Sequence, residues 1–263
     1  MQRYGMLFSA ERMRSAGIVL GGVLLICCML SAGVSEAGVS PLEGARQLVV
    51  VVADGWSSVP AVLQRYERDG DTAPWRPVGK RVQVSLGRSG QGWGIGLHPQ
   101  EARRSGEPEK NEGDGRAPTG IFELVSCFAY APEELAGTAM PVLKADSELV
   151  CVDDSSSRYY NEVFPGNVPD KDWNSAEDML RKDGLYRYGV VVAHNMNPPL
   201  PGRGSCIFLH VERSPGAPTA GCTAMKQNAV KELILWLDPA AKPMLAQFPK
   251  DVYQRLKEAW AMP

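Results

Sequence analysis

Short apolar runs bounded by Gly, Pro or Asp recur at 48–53, 81–86, 120–128, 148–152, 188–193 and 205–211. They are rich in Val, Ile and Phe, which suit a pleated, half-buried surface, and they predict strands. Helical spacing of apolar positions occurs at 59–68, 175–181, 228–237 and 251–260, the last with Pro249 just ahead of it. The pattern predicts a mainly β fold with peripheral helices. Residues 87–114 are long, polar and charged and read as a surface excursion, with residues 90–96 forming a turn or bulge inside it. That glycine-rich stretch has neither the Walker spacing nor the dinucleotide fingerprint. No repeat or low-complexity tract divides the rest, so residues 38–263 read as one domain, and a monomer is expected although the sequence does not fix the oligomeric state.

The N-terminus has a different character. Arg3, Arg12 and Arg14 precede an apolar run over 18–30, and Ser35-Glu36-Ala37 then places small residues one and three positions before a cut. This is the layout of a signal peptide, cleaved before Gly38, with an uncleaved anchor as the alternative. The run falls short of the roughly 20 apolar residues that a membrane span needs. Cys27 and Cys28 follow the bulky Ile26 rather than a small residue, which argues against lipidation. The mature protein is therefore expected in the periplasm or cell envelope, with any membrane contact through this segment alone.

Export changes the meaning of the cysteines. Four of the six lie beyond the signal segment, Cys127, Cys151, Cys206 and Cys222, and an oxidising compartment permits a bridge. Cys127 to Cys151, on neighbouring segments, is the expected pair, although spacing alone leaves the pairing open. The formal net charge is -2 and Lys and Arg are scattered, so nothing marks a nucleic-acid partner.

The sharpest chemical signal is Ser205-Cys206-Ile207-Phe208-Leu209-His210-Val211 followed by Pro218-Thr219-Ala220-Gly221-Cys222-Thr223-Ala224-Met225. Strand alternation places Cys206, Phe208 and His210 on one face and Ile207 and Leu209 on the other. Gly221 permits a sharp bend before Cys222, and a helix beginning near Met225 is expected to set the thiol by its N-terminus. Cys222 is thus a candidate nucleophile, His210 its base, and the main-chain N–H groups from Gly221 to Thr223 a candidate oxyanion site. The competing reading makes His210 a satisfied core histidine and Cys222 a small buried hydrophobe.

A His, then a Gly-rich link, then Thr-x-Gly-Cys resembles the catalytic motif of the L,D-transpeptidase (YkuD-type) family. Glu112-Gly113-Asp114-Gly115-Arg116-Ala117-Pro118-Thr119-Gly120-Ile121-Phe122 is similar to that family's upstream loop, which ends in Pro-x-Gly before a core strand. The resemblance implies a β-sandwich or barrel-like fold. It implies a Cys that attacks the carbonyl of the third-residue diamino acid in a peptidoglycan stem tetrapeptide. D-Alanine then leaves, and the acyl-enzyme passes to an amine or to water. Carried over, Cys222 is the nucleophile, His210 the base, Gly221 with Cys222 the oxyanion site, and Thr219 the family's Ser or Thr. No cofactor is implied.

The chain also departs from that pattern. Ala220 stands where a second His usually precedes Gly-Cys, Ala224 stands where Arg or Asn is usual, and 12 residues (222 minus 210) separate His from Cys, fewer than is typical. An L,D-carboxypeptidase or other amide hydrolase of the same fold is the alternative these departures raise. His194 and Asn195, at a strand end, are candidates to line the cleft or orient His210, against a plain turn before Pro198. Arg203 and Arg213 flank the His210 strand and suit a substrate carboxylate, while His98 reads as exposed. A zinc peptidase is disfavoured because no His-x-x-x-His or Cys-x-x-Cys pair exists, so no metal ligand is assigned. A non-catalytic wall-binding domain should have lost the nucleophile or base, and both are present.

Overall fold

The computed structural model describes residues 40–263; the expected export segment, residues 1–37, lies outside them. The strands are β1 (Gln47–Ala53), β2 (Pro60–Glu67), β3 (Arg76–Ser85), β4 (Gln91–Trp93), β5 (Ala117–Ala129), β6 (Val142–Lys144), β7 (Leu149–Val152), β8 (Val163–Pro165), β9 (Ala176–Asp178), β10 (Tyr188–Val192), β11 (Phe208–Val211), β12 (Thr223–Met225) and β13 (Met244–Pro249). Helix α1 (Gln227–Trp236) separates β12 from β13, and α2 (Lys250–Leu256) follows β13. Among the described residues no helix is long and apolar enough to cross a membrane.

The large sheet runs β10-β11-β12-β3-β2-β1-β13-β5, and β5 pairs back onto β10, so these strands close into a barrel-like ring. The closing strand is long enough to serve two neighbours: Gly120 to Glu123 pair with β13, and Leu124 to Ala129 with β10. Period-2 alternation sorts the side chains. Val49, Val51 and Leu245 pack with Val230, Leu233 and Ile234 of α1, whereas Leu48, Val50, Ala246 and Phe248 pack on the other face with Val252 and Tyr253 of α2. A separate three-stranded sheet, β8-β7-β9, is joined to the ring through Phe128, Phe208, Tyr186, Met179, Cys151 and Cys206. The candidate site lies along this third cluster.

Several expectations are corrected. Residues 59–68 form strand β2, not a helix, because all seven residues of β1 pair with it and β3 pairs with its other edge. Pairing on both edges outweighs the helix-favouring Ala, Leu, Gln, Arg and Glu. Residues 175–181 supply β9 rather than a helix, hydrogen-bonded along Val150 to Val152. The strand expected over 205–211 is shorter, beginning at Phe208, since Cys206 takes φ +54° and breaks the ladder. The surface excursion at 87–114 holds β4 and the buried Lys110, so residues 90–96 include a strand and not only a turn. His98 is buried there, because Gly120 has no side chain: a Cβ at residue 120 would sit 2.1 Å from the His98 ring. The bridge joins Cys151 to Cys206, not Cys127 to Cys151; Cys127 is free and buried among apolar side chains on β5.

Candidate active site

Strand β11 pairs in parallel with β12, with His210 opposite Ala224, so Cys222, two residues before Ala224, lies on the His210 face. Both side chains line one cavity of about 150 Å³, together with Glu177, Arg181, Tyr186, Arg213, Thr219 and Ala220. The alternation read from sequence holds. Cys206, Phe208 and Cys222 fall in one cluster, Ile207 and Leu209 in the core on the other face.

The helix expected near Met225 begins only at Gln227, with β12 intervening, so Cys222 sits at the entry to a strand and not at a helix N-terminus. Its environment disfavours thiolate. Burial, then the nearby Glu177 carboxylate, push the thiol up to about 12, against weaker opposing effects of the Phe208 N–H, Lys110 and Arg181. The Sγ accepts from Phe208 N at 3.3 Å and faces the Cys206 carbonyl at 3.5 Å. Burial likewise pushes His210 down to about 4. At neutral pH the pair is a neutral thiol beside a neutral imidazole. His210 Nδ1 lies 2.8 Å from the Val211 carbonyl, which can only accept, so Nδ1 carries the proton and Nε2 keeps its lone pair. The Tyr186 ring meets the imidazole edge-on at 5.4 Å and holds its plane.

The two sequence motifs meet under Cys222. A Cβ at Gly221 would lie 3.1 Å from the Arg116 carbonyl, so the upstream loop approaches as closely as glycine allows. Arg88 N–H donates to the Thr219 carbonyl, fixing the same turn from the other side. Thr219 Oγ1 donates to the Cys222 carbonyl at 2.6 Å and accepts from Gly221 N at 3.1 Å. The Gly221 N–H is therefore engaged by Thr219, not open to the cavity. Thr223 is buried, its hydroxyl bonded to Gln247 Oε1 on the opposite face.

The remaining candidates separate. His194 is buried away from the cavity, accepting from Ile95 N through Nδ1 and, as the donor, bonded through Nε2 to the Arg203 carbonyl. Asn195 takes φ +53° and bonds the main chain of Leu200 and Gly204, the turn role that its type favours. Arg203 pairs with Glu109, outside the cavity lining, whereas Arg213 is at the cavity and reaches Asp183 only at 3.4 Å. Sequence reasoning missed Glu177 and Arg181, while Tyr186 is among the aromatic residues of 159–188 that could build an acceptor site. Reading 175–181 as a helix hid the two, and the alternation of β9 was the only available signal for Glu177. Among the described residues no group of three or more His, Cys, Asp or Glu side chains is placed to hold a metal.

A closed, mainly β ring thus brings a thiol and an imidazole to one small cavity. The L,D-transpeptidase catalytic domain family (YkuD) matches residues 49–245, most of the chain, and the chain belongs to that family, which acts on peptidoglycan peptides. No curated protein and no solved structure matches the chain.

Proposed function

We propose that this chain is an exported, cysteine-dependent L,D-transpeptidase that works on peptidoglycan stem tetrapeptides through a thioester. The observation that carries the reading is the shared cavity of Cys222 and His210, with His210 Nε2 free to accept a proton. Because the resting thiol is protonated, His210 acts as a general base while the bond forms. Sulfur attacks the carbonyl between the third residue, a diamino acid, and the terminal D-alanine. The C–N bond breaks, His210 returns its proton to the departing amine, and a thioester to Cys222 remains. An acceptor amine then attacks, His210 takes up its proton, and the thiol is regenerated. Developing oxyanion charge falls to the main-chain N–H of Cys222, since Thr219 engages the Gly221 N–H and Thr223 is paired with Leu209 in the β11–β12 ladder. Arg213, exposed and loosely paired, suits a substrate carboxylate.

Hydrolysis is the second reading, and one observation favours it: Ala220 and Ala224, at the two positions where the family usually carries polar side chains, line the cavity on either side of Cys222, so neither can help position an incoming amine. Water needs less positioning. Incubating purified protein with disaccharide-tetrapeptide and weighing the products decides between them, because cross-linked dimers mean transfer and trimmed tripeptide means hydrolysis. Neither product from the wild type would overturn both. Export is tested by N-terminal sequencing of the native protein: a start near Gly38 is expected, and a start at Met1 in the cytosol would remove the wall substrate.

A further inference from the structure

Glu177 is an acid in the cavity for which neither the motifs nor the chemistry above has a use. It sits at the centre of β9, directly opposite Cys151 of β7, and Cys151 is bonded to Cys206, whose carbonyl faces the Cys222 thiol. Two covalent or ladder-bonded steps thus fix this carboxylate relative to the nucleophile. Glu177 Oε2 accepts a hydrogen bond from the Tyr186 hydroxyl, and the same Tyr186 ring packs on His210. Oε1 takes no hydrogen bond from the described residues. The nearby cations are committed elsewhere. Arg181 grips Asp183 with two bonds, at 2.9 and 2.6 Å, and Arg213 turns to the same aspartate. Among the described residues Glu177 has no ion-pair partner, although burial makes an unpaired carboxylate costly.

A half-buried acid with no ion-pair partner of its own among the described residues, held beside a thiol that must become anionic to react, works against the reaction in the empty site. The same arrangement favours the reaction once a positive group enters. We propose that Glu177 is the specificity-determining residue of this cavity: it binds a primary ammonium group on the acyl-donor substrate and, neutralised by it, frees Cys222 to react. Recognition and activation are then one event, and a donor whose amine is blocked both binds poorly and leaves the thiol suppressed. The identity of the donor rests on the transpeptidase reading; the effect of Glu177 on the thiol does not.

The test has two arms. The first uses the full protein and a neutral thiol reagent, iodoacetamide, with alkylation of Cys222 followed by mass spectrometry from pH 7 to 10. Groups facing the thiol are Glu177 from β9, Arg181 beyond it, Tyr186 ahead of β10, His210 from β11 and Lys110 behind the turn. Glu177→Gln keeps an acceptor for Tyr186 and removes only the charge, so it should alkylate about tenfold faster at a given pH, the equivalent of one unit in the thiol. An unchanged or slower rate in a variant that melts like the wild type would overturn the electrostatic half. The second arm needs no mutation to begin. Two stem tetrapeptides that differ only in whether the third-residue side-chain amine is free or acetylated are offered to the wild type, which should prefer the free amine by about ten- to a hundredfold in kcat/KM, as a charged hydrogen bond allows. Glu177→Gln should erase that preference. Equal use of both peptides by the wild type, or a preference kept by the variant, would overturn the assignment. If neither peptide reacts with the wild type, the transpeptidase reading falls and the substrate half of this proposal with it, while the alkylation comparison still decides the electrostatic half.

Discussion

Replacing His210 by Ala separates a general base from a bystander, and the environment of the pair sets the size of the effect. With the thiol at about 12, the ionised fraction at pH 7 is about 10⁻⁵, five units below the midpoint. An enzyme that relied on that fraction would gain tenfold per pH unit all the way to alkaline pH. His210, pushed down to about 4 by burial, stays unprotonated from pH 5 upward and can take the thiol proton during attack. Below about pH 4 it is protonated and cannot accept, so the acid limb of the wild-type profile falls there, well under the usual histidine value of about 6.5. We expect wild-type acylation by a carbapenem, a compound that family resemblance marks as an acyl donor to this thiol, to be flat from about pH 5 to 9. His210→Ala should lose on the order of 10²- to 10⁴-fold at pH 7, the usual contribution of a positioned base, and recover tenfold per unit as pH rises. Stopped-flow fluorescence with intact-mass confirmation reads both profiles. Equal rates at pH 7, or a variant without the rising slope, would refute the role assigned to His210.

Cys222→Ala should fold normally and form no adduct, with the buried Cys127, whose thiol burial also pushes up to about 12, failing to substitute for it; peptide mapping after carbapenem treatment checks this. The Cys151–Cys206 bridge closes a 55-residue separation, so the double Ser variant should lose about 4 kcal/mol by the chain-entropy relation, read by chemical denaturation, and lose activity as β7 and β9 loosen from the cavity. Gly221→Ala should lower kcat with little change in Tm, because the added Cβ presses on the Arg116 carbonyl at 3.1 Å and shifts the nucleophile's turn rather than the core.

The local chemistry was far more legible than the walls around it. Alternation in Phe208-Leu209-His210 turned His210 inward with Phe208, since period 2 is a property of the chain itself, whereas the sharing of one cavity by Cys222 and His210 depends on the β11–β12 pairing. The parts that sequence misassigned depend on partners. Ala61 to Glu67 carry helix-favouring residues yet lie between two strands, and Ala176 to Asp178 gain their extended form only from β7. Losing β9 meant losing Glu177. The disulfide was misassigned for a similar reason: Cys127 and Cys151 are close along the chain, but Cys127 faces the apolar core while Cys151 faces the cluster that holds Cys206. The expectation of a stabilised thiolate failed because it rested on a helix start two residues too early, and burial dominates where β12 intervenes.

The central claim is that Cys222 carries the acyl group of a stem peptide. Purified protein mixed with disaccharide-tetrapeptide, quenched in acid within the first turnover and digested, measures it directly. A peptide containing Cys222 should be heavier by the disaccharide-tripeptide acyl group, in step with released D-alanine, and no such peptide should arise from Cys222→Ala. D-Alanine released with no acylated Cys222, or an acyl group found on another residue, would contradict it.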